Sequence, residues 1–302
     1  MDTTREIKTI GWVGTGVMGK SMCKHLLKAG YKLSVYNRTM SKTEELVKLG
    51  AVIQEPIEMA KTCDAVFLML GYPIDVEKMV LGENGILAHM PKGTYLIDHT
   101  TSSPDLAVQI YNKARERGVI SYDAPVSGGD IGAQNGQLVV MIGGDKDVFD
   151  PVKKVMANFS KKCEILGGAG SGQHTKMTNQ TFIASGIVGV CEGLLYAHKA
   201  GLDVNAVIDL LGGGAASSFN LTVYGPRIMK RDFEPGFFIE HFFKDLGIVL
   251  KESERMGLDL KGLKLAHSFY KAMMEEGYEK KGIQALYLAL EKLNGIKSEE
   301  KK

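Results

Sequence analysis

Disulfide chemistry is the first thing this chain lacks. Its four cysteines, Cys23, Cys63, Cys163 and Cys191, lie far apart and form no CxxC pair. They read as reduced, mostly buried thiols of a cytoplasmic protein rather than a disulfide frame. Charge of one sign is equally scarce: 37 basic and 35 acidic residues leave a net charge of +2 over 302 residues. That balance offers nothing to nucleic acid or to an anionic membrane. The seven histidines include no HExxH and no pair four apart, so no zinc or other metal site is expected. No apolar run reaches the length that a bilayer crossing needs. The opening "MDTTREIKTIGWVG" shows neither an apolar signal core nor an arginine-rich presequence, which again predicts a cytoplasmic location. Repeats and low-complexity segments are missing too.

What is present is an alternation. "TIGWVG", "LSVYN", "AVFLML", "TYLIDHT", "VISYDAP" and "QLVVMIGG" are short apolar runs bounded by Gly, Asp or Pro and read as strands. Between them, 17–29, 41–49, 73–81 and 103–117 carry helical spacing. Ser41 with Glu44 three residues on, and Ser103-Pro104, are helix-start signals. Strand–helix alternation of this kind predicts a parallel sheet covered on both faces. Beyond about residue 168 the strand signals stop. A long, nearly all-round apolar helix is expected over 173–200, ending at Gly201, with Asp203 capping the next. Its glycines 186, 189 and 193 would let another helix approach closely. Further helices are expected at 204–211, 241–256, 263–275 and 282–293. The fold class is thus an α/β Rossmann-type domain, 1–167, followed by an all-helical substrate and oligomerisation domain, 168–302, joined at "GGAGSG".

Three stretches carry chemistry. "IGWVGTGVMGKSM" holds Gly14-x-Gly16-x-x-Gly19 between a strand and a helix. Gly14 permits the tight turn, Gly16 lets a pyrophosphate reach the backbone, and Gly19 lets helix and sheet pack closely. Thr15, Val17 and Met18 fill the same turn. At the end of the second strand an NAD site would present a carboxylate, but the chain offers Asn37-Arg38-Thr39. A guanidinium and two small polar groups suit a 2′-phosphate, so NADP(H) is preferred and NAD(H) remains possible. In "YDAPVSGGDIGAQNGQL", Ser127-Gly128-Gly129 follows a strand with little to shield its N–H groups. Such a turn can receive a carboxylate.

Taken together, "GWVGTGVMGKSM", "DAPVSGG", "GSGQHTKMTNQ" and "KDLGIVLKE" resemble the β-hydroxyacid dehydrogenases. That is the group of 3-hydroxyisobutyrate dehydrogenase, tartronate semialdehyde reductase and glyoxylate/succinic semialdehyde reductase. The resemblance covers nearly the whole chain. It implies that Lys176 is the catalytic lysine, that Ser127, Gly128 and Gly129 bind the substrate carboxylate, and that Asn179 and Gln180 line the site. It further implies that Lys244 reaches the nicotinamide end of the cofactor and that Asp245 holds the geometry of that helix start. Leu70, Gly71, Asp75 and Thr101 match cofactor-contacting positions. Two residues depart from the pattern: Gly71 stands where proline is frequent, and Gln180 where asparagine is. The second bears on which substrate is used.

The residues around Lys176 support the same role. A helix start is a poor electrostatic place for a solvated cation. Asn179 and Gln180 fall on the same helix face as the lysine, and polar groups on an otherwise apolar helix need a partner or a cavity. The expected activity is a reversible, NADP(H)-dependent interconversion of a small β-hydroxy acid and its semialdehyde, with Lys176 as general acid/base. The expected partners are a small carboxylate-bearing substrate and further copies of the chain, as homodimer or homotetramer. The rivals are an NAD-dependent 3-hydroxyisobutyrate dehydrogenase and a cofactor-binding interaction module without turnover. A phosphogluconate dehydrogenase is disfavoured by the short helical half.

Overall fold

The computed structural model describes residues 6–296. It divides into two compact units, one ending at Lys176 and the other starting at Met177. The first unit opens with β1 (Thr9–Val13), α1 (Val17–Lys28), β2 (Lys32–Tyr36), α2 (Glu44–Lys48), β3 (Val52–Ile53) and α3 (Pro56–Thr62). It continues with β4 (Ala65–Leu68), α4 (Pro73–Leu81), β5 (Tyr95–Asp98), α5 (Pro104–Glu116) and β6 (Ile120–Asp123). Next come β7 (Val126–Ser127), α6 (Gly129–Gln134), β8 (Leu138–Gly143), α7 (Asp150–Met156) and β9 (Ser160–Gly167).

The strands form one sheet in the order β3-β2-β1-β4-β5-β6-β8-β7, with β9 beside β8. From β3 through β6 every pairing is parallel, whereas β8 runs antiparallel to β6 and β7. The sheet is therefore parallel only over its first part. Strand order reverses direction between β1 and β4, and ligands of such sheets bind outside the strand ends at that switch point. Trp12 anchors the core beneath it. Its ring stacks on Phe67 at 5.4 Å and meets Phe159 edge-on at 6.3 Å.

Local signals held in part. Ser103 caps α5 by accepting from Leu106 N–H, with Pro104 in the first turn. Ser41 caps nothing: residues 40–43 form a 3-10 turn that begins after Thr39, and α2 starts only at Glu44. The strand β9 escaped the periodicity reading because Lys161, Lys162 and Glu164 are exposed along it. Charged side chains are tolerated at such half-covered strands and blunt their edges. The short elements β3, α3, α6 and α7 were not expected either.

The helix α8 (Ser171–Lys199) begins in the first unit and continues into the second, where α9 (Val204–Gly212), α10 (Gly225–Met229), α11 (Ile239–Arg255), α12 (Lys261–Glu275) and α13 (Leu286–Leu293) follow. Asp203 does cap α9, accepting from the Asn205 and Ala206 amides. The expected helix over 282–293 is a 3-10 turn, Ile283–Ala285, leading into α13. A π-helical turn, Asn220–Tyr224, and α10 were not foreseen, since a triple glycine and Pro226 break the pattern there. Phe242 and Tyr270 meet edge-on at 5.0 Å in the middle of this unit's core.

By length and composition alone α8 could cross a membrane, contrary to the sequence expectation: its most apolar window has mean hydropathy 1.3. Isoleucine, valine, leucine and alanine raise that mean, while the glycines and polar residues among them interrupt any obvious apolar run. The helix is also less uniformly buried than expected, with Phe182 74% and Tyr196 77% exposed. Of its glycines, Gly186 is approached by Asn220, whereas Gly189 and Gly193 have no atom near a would-be Cβ.

Candidate active site

The glycine turn sits at the end of β1, beside the switch point. Gly14 has φ 101°, and a Cβ there would lie 2.2 Å from the Met69 carbonyl oxygen. Its N–H donates to Tyr36 O at 2.8 Å, so the turn is fastened to both neighbouring strands. At Gly19 a Cβ would lie 2.0 Å from Gly14 O, which is the close helix–sheet packing expected there. Gly16, by contrast, has no atom within 4 Å of a would-be Cβ. The space above it is open.

That opening suits a dinucleotide. Thr15 is 1% exposed, and its Oγ1 is buried with no hydrogen-bond partner among the described residues. A cavity of about 620 Å³ runs from the turn along α1, lined by Thr15, Gly16 and Val17 and by Lys20, Lys24, Lys28 and Lys42; Lys20 and Lys24 are ion-paired with Glu45. Free N–H groups at a helix start and a basic lining are complementary to phosphate. Met18 faces the core instead, packing against the cluster around Trp12.

Asn37 has a more definite task than its position suggested. Its Oδ1 accepts from Thr15 N–H at 3.0 Å, and its Nδ2 donates to Thr39 O at 2.9 Å. The amide thus braces the glycine turn against the end of β2. Arg38 and Thr39 are exposed, and Arg38 has no hydrogen-bond or ion-pair partner among the described residues. Leu70 and Gly71 follow β4, with Leu70 N–H donating to Thr100 Oγ1 at 2.9 Å. Asp75 lies in the first turn of α4, and Thr101 in the loop after β5. All these positions are at the same edge of the sheet.

Lys176, Ser127, Gly128 and Gly129 come together at the next strand. Lys176 is 6% exposed, and its Nζ donates to Val126 O at 2.9 Å. Val126 immediately precedes Ser127. Gly128 and Gly129 have φ of 130° and 62°, conformations that side-chain-bearing residues avoid. A buried ammonium therefore stands against the start of a glycine-built turn.

Two residues missed by the sequence reading fasten this arrangement. Asp123 ends β6; its Oδ1 accepts from Gly170 N–H and its Oδ2 from Gln173 N–H, both at 2.8 Å. A carboxylate at the start of α8 also faces the positive end of the helix dipole. Burial nevertheless pushes its pKa up to about 6, against the pull of those amides. Gln173 is fully buried: its Oε1 accepts from Ser102 N–H at 2.9 Å and its Nε2 donates to Thr100 O at 2.8 Å. Next to them His99 donates from Nδ1 to Ala124 O, and burial lowers its pKa to about 4, so the ring is neutral. Asp123 stood within the quoted "YDAPVSGG" with no signal of its role, and Gln173 three residues before the lysine, where its place on the same helix face was the one hint.

In the second unit the remaining four form a chain. Asn179 Nδ2 donates to Gln180 Oε1 at 2.7 Å, and Gln180 Nε2 donates to Asp245 Oδ2 at 2.7 Å. Lys244 Nζ lies 2.9 Å from Asp245 Oδ1, a charge contact without hydrogen-bond alignment. Asp245 was expected to hold a helix start, but α11 begins at Ile239 and is capped by Phe238 without any side-chain bond. Its carboxylate instead holds Gln180. Both of these residues are at most 1% exposed.

Residues 9–168 match the family described as the NAD binding domain of 6-phosphogluconate dehydrogenase. Residues 170–290 match the NAD-binding family of NADP-dependent 3-hydroxyisobutyrate dehydrogenase. The chain belongs to the β-hydroxyacid dehydrogenase family. A probable 3-hydroxyisobutyrate dehydrogenase-like protein of Arabidopsis thaliana is 48% identical over 95% of this chain and 86% of its own length. The 2-hydroxy-3-oxopropionate reductase of Escherichia coli is 36% identical over 93% of this chain and 98% of its own. Among solved structures, a Mycobacterium tuberculosis 3-hydroxyisobutyrate dehydrogenase superposes with a TM-score of 0.85 at 26% identity, covering 94% of this chain and 99% of the other. This β-hydroxyacid dehydrogenase is accordingly an NAD(P)-dependent oxidoreductase with a Rossmann-type first part and a helical second part. The phosphogluconate dehydrogenase likeness is confined to the first half, and the reading as a turnover-free module is not favoured.

Proposed function

We propose that the chain is an NADP(H)-preferring enzyme that interconverts a short β-hydroxy acid and its semialdehyde, with Lys176 as general acid/base. The observation that carries this is the 2.9 Å contact of Lys176 Nζ with the carbonyl preceding Ser127-Gly128-Gly129. It sets a buried lysine amine beside the turn proposed to take the substrate carboxylate. A bound nicotinamide supplies or takes the hydride at the carbinol carbon. In reduction Lys176 gives a proton to the oxygen of the former carbonyl; in oxidation its neutral amine takes that proton back. The turn at 127–129 holds the acid group and so orients the substrate. Asn179 lines the site one helical turn along α8 from the lysine. Gln180 serves it by fixing Asp245, and Lys244 is a cofactor contact.

NADP(H) is favoured because Asn37 replaces a repelling carboxylate and Arg38 is exposed beside it. Gly14, Gly16 and Gly19 with Thr15, Val17 and the backbone of Met18, then Thr39, Leu70, Gly71, Asp75 and Thr101, complete the proposed cofactor contacts. The substrate belongs with tartronate semialdehyde, succinic semialdehyde, glyoxylate and 3-hydroxyisobutyrate. The helical region assembles as a homodimer or homotetramer: Phe182 and Tyr196 are exposed on α8, and Leu210 is 78% exposed on α9. We place the enzyme in the cytoplasm, in keeping with four free cysteines.

Assay of those acids, and of their methyl esters, with both cofactors tests the proposal. The acids should turn over with NADPH far better than the esters. Lys176→Ala should lose roughly two to four orders of magnitude in turnover, the range for general acid–base catalysis. Turnover within tenfold of wild type would reduce Lys176 to a helix-start residue.

A further inference from the structure

We infer that Gln173 is a positioning residue for Lys176, fixing the lysine's turn of α8 against the loop between Thr100 and Ser102. This rests on the reading of Lys176 as the proton carrier. Gln173 lies three residues before the lysine, on the same helix face. Its amide reads the loop as a paired strand would, taking an N–H from Ser102 and giving an N–H to Thr100 O. The residue enclosed by those two bonds is Thr101, a proposed cofactor contact. One side chain thereby ties the helix carrying the proton donor to the loop that faces the cofactor.

Two other fastenings of this helix act elsewhere. Asp123 holds the backbone of Gly170 and Gln173, which fixes where α8 begins. Lys176 Nζ rests on Val126 O, which fixes the ammonium against the carboxylate turn. Neither of these bonds reaches the loop after β5, whereas both side-chain bonds of Gln173 do. The Asp123 and Val126 bonds set the start of the helix and the lysine amine, and the Gln173 bonds add the spacing from that turn to the loop. Misplacement of a reacting group by about 1 Å can cost on the order of a hundredfold in rate.

Three variants, studied in the full-length protein, test this. Gln173→Leu keeps the bulk and removes both hydrogen bonds. Gln173→Asn keeps the amide on an arm one methylene too short. Val152→Ala, a core truncation in α7, supplies a comparable loss of melting temperature away from these residues. Each is assayed by steady-state turnover with NADPH and a carboxylate aldehyde, and Gln173→Leu is repeated in the Lys176→Ala background. The expected result is a ten- to hundredfold loss of kcat for both Gln173 variants, with cofactor KM within threefold of wild type. In the Lys176→Ala background the same change should cost less than threefold, because there is no lysine left to position. Should Gln173→Leu not fold, Gln173→Asn carries the test. Wild-type kcat in these variants, an equal loss in the Lys176→Ala background, or an equal loss in Val152→Ala would each overturn the inference. A Lys176→Ala enzyme that keeps its turnover overturns the reading of the lysine instead.

Discussion

Replacing Gly172 by alanine sets two effects of opposite sign against each other. Gly172 is the second residue of α8, and alanine is the better helix former by up to about 1 kcal/mol. Propensity alone therefore predicts a more stable protein. The structure predicts the reverse. A Cβ on Gly172 would stand 2.5 Å from Asp123 O, 2.6 Å from Met141 O and 2.9 Å from Asp123 Oδ2. Two of these are backbone atoms of β6 and β8 and cannot turn aside. The first turn of α8 must therefore retreat by nearly an ångström, and the Asp123 bonds to Gly170 and Gln173 stretch with it.

Overpacking of this kind costs about 1–3 kcal/mol. Weakening hydrogen bonds to a charged group adds up to about 1.5–3 kcal/mol for each one lost. Against the gain from propensity, a net destabilisation of roughly 2–4 kcal/mol is expected. Calorimetry should register a melting temperature lower by roughly 3–6 °C, given about 1.6 °C per kcal/mol at this chain length. Turnover should fall further than stability suggests, because Lys176 rides on the displaced turn. A Gly172→Ala enzyme that melts at or above wild type and turns over normally would show that the start of α8 is not pinned to Asp123.

Arg38→Ala should weaken NADPH by roughly 1.5–3 kcal/mol and leave NADH nearly unchanged, by titration of both cofactors. Equal wild-type affinities for the two would sink the phosphate reading. Asp123 should give stability a distinctive pH dependence. Its folded pKa, raised to about 6 by burial, exceeds an unfolded value near 3.9, so the folded state holds the proton more tightly. That contribution is full below about pH 3.9 and is lost as pH rises through about 6. Relative to Asp123→Asn, wild type should gain about 1 kcal/mol on going from about pH 6 to pH 5 in denaturant titrations. A flat difference would mean that the Gly170 and Gln173 amides keep the carboxylate ionised. Gly189→Ala and Gly193→Ala add methyls that meet nothing within 4 Å among the described residues. They should nonetheless weaken assembly in sedimentation experiments, since that α8 face is proposed to meet a second copy. Unchanged assembly would move the interface elsewhere.

The parts of the fold legible in the sequence are those written in local chemistry. Gly14 and Gly19 announce a tight turn because no side chain fits there, and the spacing alone conveys it. Ser103-Pro104 and Asp203 likewise act within four residues of themselves. Ser41 and Glu44 satisfied the same local rule and failed, because a 3-10 turn placed Ser41 inside rather than before the helix. The strand β9 was hidden for a different reason: its lysines obey the demands of exposed strand positions, not those of a buried alternation.

The site was legible in its members more than in their roles. Asp123 meets its partners 47 and 50 residues away, and Gln173 meets Ser102 and Thr100 at separations of 71 and 73. No spacing rule reaches across such distances. The same limit explains Asn37 and Gln180. A polar side chain at a strand end or on an apolar helix must be satisfied by something. From sequence the missing partner can be imagined as a ribose or a substrate acid. In the structure Asn37 spends its amide on the glycine turn, and Gln180 spends both ends of its own on Asn179 and Asp245. The requirement for a partner was read correctly, whereas its identity depends on the fold. At Gln180 the departure from asparagine then takes on a physical meaning. The extra methylene carries the amide to a carboxylate 65 positions away, and a shorter arm would leave Asp245 to Lys244 alone.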